Sequence, residues 1–150
     1  MRERVFLFAC LTSLMFCCDH YASVLEIENK TNQPIIFSFS RTDSIEIKPA
    51  YTMDDLKKGL KNLNDKESSC FIAARSKHRE FRNSWSAIID NSFSGTLRVF
   101  IFDPDTLQKY PWSDVRDKNR YIHRFKFSTD ALRRMNWRIE FSDSVRLVVK

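Results

Sequence analysis

A catalytic site needs a poised acid, base, nucleophile or metal, and the 150 residues of this chain offer few groups from which to build one. Its three histidines are scattered: His20 behind an apolar leader, His78 in the basic run RSKHREFR (75–82), and His123 in the alternating run YIHRFKF (121–127). In an alternating strand, a histidine reads more simply as a packed structural residue than as a general base. Ser84 and Ser94 lack the glycine-flanked elbow that exposes a nucleophilic serine. Asp103 and Asp105 stand two apart, but at a helix start, where carboxylates cap backbone N–H groups. Cys70 and His78 are one thiol and one imidazole, short of a zinc ligand set. Cys70, within SSCFIAA, reads as buried packing. With only Gly59 and Gly95 in the chain, no glycine-rich loop can cradle phosphate. On these grounds no catalytic residue, cofactor or metal ligand is assigned, and the chain reads as a non-enzyme.

The other three cysteines concern the start of the chain. MRER (1–4) is followed by VFLFACLTSLMF (5–16), twelve positions without a charge. A basic stretch before a short apolar run is the layout of a bacterial export signal, and twelve residues are too few for a spanning helix, which needs about 20. No pair of small residues stands at the −3 and −1 spacing of an ordinary signal-peptidase site near 14–22, whereas LMFCCDHY (14–21) ends the apolar run on two cysteines. A lipoprotein signal is therefore expected over 1–17, with Cys18 as the acylated first residue and Cys17 as the alternative. Residues 18–23 would form a polar tether, and 24–150 a single domain. Acyl chains insert at about 0.8 kcal/mol per buried CH₂, enough for two or three to hold so small a domain. Cys70 is then the only thiol of the domain, so no internal disulfide is expected. Asn29-Lys30-Thr31 spells an N-glycosylation sequon, which is irrelevant to a bacterial lipoprotein.

Composition fits a folded domain: 43% hydrophobic and 13% aromatic, with thirteen phenylalanines. The full chain carries +6; the leader holds two arginines and one glutamate, so residues 18–150 carry +5. Basic residues cluster at 75–82, 116–126 and 133–138. Asp114, Asp117 and Asp130 interrupt the field, so a solvated basic face is a better reading than a nucleic-acid track. Nucleic acid is not an expected partner; that would require residues 1–16 to be retained in a cytoplasmic protein.

Period-two alternation in VLEIE (24–28) and in IIFSFS (35–40), joined by NKTNQP, predicts an antiparallel hairpin. SIEIKP (44–49) predicts a third strand. Met53, Leu56, Leu60 and Leu63 recur at helical spacing behind a Thr52/Asp55 capping box, so 52–64 is expected as a helix. CFIAA is a strand candidate, and SWSAIID (84–90) predicts one helical turn packing Trp85 and Ile88. TLRVFIFD (96–103), apolar on both faces from Val99 to Phe102, predicts a central strand. Asp103 and Pro104 then start a helix, and Pro111 ends it and starts another. Tyr121, His123, Phe125 and Phe127 are expected on one face of a strand. A capped helix over 128–136 with Leu132 and Met135 inward follows. WRIEF (137–141) is expected to bury Trp137, Ile139 and Phe141, and VRLVV (145–149) is a further strand candidate.

Residues 100–141 also resemble the C-terminal segment of small uncharacterised lipoproteins of the Bacteroides group. Those chains share an F-D-x-x-x-L-x-x-Y-x-W passage, matched by Phe102, Asp103, Leu107, Tyr110 and Trp112. A following turn is matched by Ser128 and Leu132, and a closing strand by Asn136, Trp137 and Ile139. The chain departs from them at Phe125, where a tyrosine is usual, and in its tail beyond Phe141. That group has no assigned activity, so the resemblance implies location and domain type alone. It also implies O-glycan acceptors at Asp-Ser/Thr followed by an apolar residue, here Ser44, Thr106 and Ser144, although the same triplets serve as turn and cap chemistry.

The expectation is an α+β domain of mainly antiparallel, sandwich-like strands with short helices in the connections, the alternative being an all-β sandwich. It would be lipid-anchored in the bacterial cell envelope, at the outer membrane, as a non-catalytic binding or interaction domain for a protein or glycan. Trp85 and Tyr110 are the candidate partner contacts, with Trp112 and Tyr121 read as core. The alternative function is an envelope hydrolase or modifying enzyme, which a concave pocket around His78 or His123 with a nearby carboxylate would favour.

Overall fold

Leu25 and Ile27 are fully buried between half-exposed Val24, Glu26 and Glu28, and that two-residue period forms strand β1 (Val24–Asn29). The computed structural model describes residues 24–46, 48–49 and 70–146. The expected leader and tether, with Cys17 and Cys18, and the expected helix over 52–64 lie outside the described residues. The remaining strands are β2 (Ile35–Ser40), β3 (Phe71–Ile72), β4 (Lys77–Phe81), β5 (Thr96–Phe102), β6 (His123–Ser128) and β7 (Arg138–Phe141). Short helices α1 (Trp85–Ser92), α2 (Pro104–Lys109), α3 (Trp112–Asp117), α4 (Thr129–Arg134) and α5 (Asp143–Arg146) fill the connections.

The strands form a three-stranded sheet, β4-β1-β7, and a four-stranded sheet, β3-β2-β5-β6. All pairs are antiparallel except β1 with β7, which is parallel. This is the expected α+β class with sandwich-like packing. The expected hairpin is corrected: β1 pairs with β4 and β7 while β2 pairs with β3 and β5, so NKTNQP crosses between sheets. Asn29 enforces the crossing. Fully buried, it donates from Nδ2 to the carbonyls of Gln33 (2.8 Å) and Ala73 (3.0 Å), and its Oδ1 accepts from the Thr31 amide (3.0 Å) and hydroxyl (2.8 Å). An amide spent in this way is no acceptor for a glycan.

One core lies between the sheets, where Leu25, Ile27, Ile139 and Phe141 meet Ile35, Phe37, Leu97, Val99 and Ile101, with Trp85, Ile89 and Leu132 supplied by α1 and α4. A second core covers the opposite face of β2 and β5, where Ile36, Phe100 and Phe102 pack under Leu107 and Val115 of α2 and α3. Burial on both faces explains the unbroken apolar run of β5, which is central as expected. The expected caps form at Asp103, which accepts from the Asp105 amide, and at Ser128, which accepts from Ala131; Ser84, not among the expected caps, also accepts from the Ala87 amide. Each such cap contributes about 1 kcal/mol.

Several local expectations change. The described part of 44–49 is not a strand; Ile45 drops into the second core. Helix α1 runs two turns, because Phe93 and Gly95 (φ 74°) return their N–H groups to the Ile89 carbonyl and end it. Tyr121 precedes β6 and packs edge-on against Phe100 in the second core, whereas Phe125 meets Phe141 between the sheets. Met135 is 38% exposed rather than inward, since the helix has ended before it. The chain at 143–146 is helical rather than the start of a strand.

Candidate binding groove

The three-stranded sheet turns one face to the core and the other to solvent. On the solvent face, register sets Val24 beside Phe81, Glu26 between Arg79 and Arg138, and Glu28 between Lys77 and Glu140. Opposite charges across β1 and β4 stabilise the pairing, and the like-charged Glu28 and Glu140 are bridged by Arg138. Arg79 Nε donates to Glu26 (2.9 Å), and Lys77 Nζ lies 3.2 Å from the same carboxylate. Arg138 ties β7 to β1, donating through Nε to Glu28 (3.0 Å), and it lies 3.3 Å from Glu140 and 3.6 Å from Glu26. Lys30 closes the ladder on Glu140 (2.5 Å). Exposed pairs of this kind are each worth about 0.2–1 kcal/mol, so their consequence is geometric: the side chains are held in place on rigid strands.

One end of this face is concave. A groove of about 570 Å³ is lined by Val24, Phe81, Met135, Asn136 and Trp137 above the charged floor of Glu26, Arg79, Arg138 and Glu140. Phe81 is 65% exposed, and it and Met135 are the two exposed large hydrophobics among the described residues. Single exposed apolar residues are ordinary; here both stand on the same groove. Its wall is also backbone-strained. Asn136 (φ 51°) and Trp137 (φ 57°) both take the left-handed region, which is rare for a bulky side chain. The turn is locked because the Trp137 amide donates to Leu132 (2.8 Å) and the Glu26 amide donates to Trp137 (2.9 Å). Strain of this sort persists where the surroundings over-determine it, often at functional sites.

Hydrogen bonding from Arg79 holds the Glu26 carboxyl below its usual range, and Lys30 does the same for Glu140. Glu28 raises the Arg138 guanidinium. Both groove carboxylates are therefore ionised, whereas hydrolysis of a glycosidic bond by a carboxyl pair needs one of them protonated as the general acid. Neither histidine of the described domain lines the groove. His78 projects from the opposite face of β4, its ring 5.2 Å from Phe37 and its Nε2 3.2 Å from Glu80, which is also paired to Arg82. His123 packs edge-on against Phe125 (4.5 Å), its Nδ1 buried without a partner, and burial lowers its pKa. Among the described residues no group of three His, Cys, Asp or Glu side chains could hold a metal ion.

The two candidate partner contacts fare differently. Trp85 is 1% exposed, packs edge-on against Phe39 and donates its indole N–H to the Glu80 carbonyl (3.0 Å). It is a core residue, a correction that follows from its place on the buried face of α1. Tyr110 is half-buried, with the Arg120 guanidinium 4.0 Å from its ring centroid. It stands against the second core, as do Trp112 and Tyr121. Cys70 is half-buried and packs against both cores. Ser44 is exposed, in a bend whose Asp43 is gripped by Arg98 and Lys126, and Ser144 is exposed on α5. Thr106 donates to Asp103 (3.3 Å) as part of the helix cap. Phe81 and the floor charges were not singled out by sequence as site residues, and Met135 was expected in the core. The signal present was the match between acidic Glu26 and Glu28 and basic Lys77 and Arg79 at equal spacing.

No known protein family, curated protein or solved structure matches this chain. Among the described residues, no helix is long and apolar enough to cross a membrane.

Proposed function

We propose that the protein is a lipid-anchored bacterial cell-envelope protein whose domain is a non-catalytic binding module, using the groove on its three-stranded sheet to hold a protein or glycan partner. The anchor reading rests on the leader and on LMFCCDHY, with Cys18 acylated, or Cys17 in its place, at the outer membrane. The resemblance of residues 100–141 to Bacteroides-group lipoproteins supports the same location. The binding reading rests on one observation: both exposed large hydrophobics among the described residues rim a single groove over a fixed, ion-paired floor. The held-ionised state of Glu26 and Glu140 favours binding over the hydrolase alternative.

Two measurements test this. Intact mass and the N-terminal peptide of protein from the membrane fraction should show an acylated chain starting at Cys18 or Cys17. Additional mass on Ser44, Thr106 or Ser144 would mark glycosylation. An unacylated chain that keeps MRERVFLFAC refutes the anchor. Separately, wild-type protein and the Phe81→Ala variant are used to capture components of an envelope extract. Loss of a specific component with Phe81→Ala is expected, and identical capture refutes the groove as the binding surface.

A further inference from the structure

The charges of the groove discriminate among occupants. Its lining carries two carboxylates, Glu26 and Glu140, and two guanidinium groups, Arg79 and Arg138, already paired by short contacts. The floor is thus balanced. An anionic ligand would have to compete with Glu26, Glu28 and Glu140 for the same arginines, and a cationic one with Lys30 and Lys77 for the same carboxylates. A neutral ligand faces no such competition. The floor nonetheless keeps unspent hydrogen-bonding capacity. Arg79 spends only its Nε–H on Glu26, out of the five donors of a guanidinium. The Asn136 side-chain amide, exposed on the groove wall, makes no hydrogen bond among the described residues and offers both a donor and an acceptor.

A protein partner fits less well. Specific protein interfaces bury about 800 Å² per side around an apolar, aromatic centre. This face has a balanced charge ladder with Phe81 and Met135 at one end. What it presents is one open aromatic ring beside fixed donors and acceptors in a groove of about 570 Å³, within the usual ligand-site range of about 300–1,000 Å³. A sugar ring has apolar C–H faces to lay on an aromatic ring. Its neighbouring hydroxyls can each donate to a carboxylate and accept from a guanidinium or amide.

We propose that the groove binds a neutral, polyhydroxylated ligand, a short stretch of oligosaccharide, with Phe81 as the stacking platform and Arg79, Asn136, Arg138 and Glu140 as the hydroxyl partners. This rests on the reading of the groove as a recognition surface and names its ligand class. Strand-borne side chains held by ion pairs are pre-organised for it.

The test uses the full-length protein, solubilised with its native N-terminus, on a printed array of neutral gluco-, galacto-, manno- and xylo-oligosaccharides, with heparin and polygalacturonate as anionic probes. Retention on at least one neutral series is expected. It should persist in about 1 M salt, where the screening length falls to about 3 Å. Phe81→Ala, at a 65%-exposed position where loss of the ring leaves no core cavity, should weaken it at least tenfold, and Arg79→Gln should do so independently. Retention on the anionic probes alone, lost in salt, overturns the proposal, as does no retention on any probe or retention unchanged by Phe81→Ala. The envelope-extract capture separates this from the broader reading. A component lost with Phe81→Ala that is destroyed by protease but survives periodate would keep the groove as a binding surface and sink the glycan. Capture indifferent to Phe81→Ala would sink both.

Discussion

Replacing Asn29 with alanine tests the fold logic that sets the groove floor in register. The wild-type side chain donates to the Gln33 and Ala73 carbonyls and accepts from both the amide and the hydroxyl of Thr31. Not all of these partners are orphaned by its loss. Gln33 O can take the Thr31 hydroxyl, 2.8 Å away, whose single hydrogen is released when Asn29 Oδ1 is lost, and Ala73 O keeps the Ser76 hydroxyl at 2.8 Å. The Thr31 amide, in a residue 1% exposed, loses its acceptor. One orphaned buried donor costs about 1–3 kcal/mol, and each of the two lost Nδ2 hydrogen bonds about 1 kcal/mol net, so Asn29→Ala should cost about 3–5 kcal/mol. That is a large share of the roughly 5–15 kcal/mol typical of a domain. Asn29→Asp should cost more at neutral pH, because it turns an acceptor toward the Gln33 and Ala73 carbonyls and buries a charge. The excess should shrink in acid, where the carboxyl is protonated and can donate. Urea unfolding followed by tryptophan fluorescence reads all three proteins, and Thr31→Val with the double variant completes a cycle. A cost for Asn29→Ala below about 1 kcal/mol, or full additivity with Thr31→Val, would refute the assignment of Asn29 as the splice between the two sheets.

Three further outcomes follow from buried and paired groups. Burial lowers the His123 pKa from 6.5, so the unfolded chain binds the proton more readily and stability falls as pH drops below about 6.5. An NMR titration should place His123 below 6.5, and His123→Phe should remove that loss between pH 7 and 5; a titration at or above 6.5 contradicts the packing. Asp43 is held at about 2 by hydrogen bonds from Lys126 and Arg98, against 3.8 in its absence. Its contribution should be complete above pH 4 and vanish as pH falls toward 2, so Asp43→Asn should flatten the acid arm of the stability profile and leave neutral-pH ligand binding unchanged. Trp85→Ala should cost about 3–5 kcal/mol in urea unfolding, while Trp85→Phe keeps the bulk but leaves the Glu80 carbonyl without its indole donor; a near-neutral Trp85→Ala would return this residue to the surface.

How much of this could be read in advance depends on where each determinant lies along the chain. Strands β1, β2 and β5 and the caps at Asp103 and Ser128 were legible because alternation and capping are local, spanning a few residues. The sheet assignment of β1 and β2 was not. Turn chemistry at 29–34 suits a hairpin and a crossing equally, and the choice is made by Asn29 reaching Ala73, 44 positions away. Strand β4 escaped because KHREF is polar on both faces: Lys77 and Arg79 point to solvent, and inward-pointing His78 and Glu80 are half-buried. Hydrophobic periodicity is silent on such a strand; only its charge match to Glu26 and Glu28 marks it. Met135 was placed inward because it lies three residues after Leu132, a spacing that shares a face only while the helix continues. The chain leaves the helix at Met135 and takes two left-handed residues at Asn136 and Trp137, which carries Met135 out to the groove rim. The groove is thus assembled from three separated pieces, 24–26, 79–81 and 135–140, each unremarkable on its own. Its apolar members belong to positions where local patterning fails, Phe81 at the end of a polar strand and Met135 past the end of a helix. Residues that neither the core nor the local pattern requires, gathered at one place on a fixed floor, are the strongest physical argument that this face has a ligand.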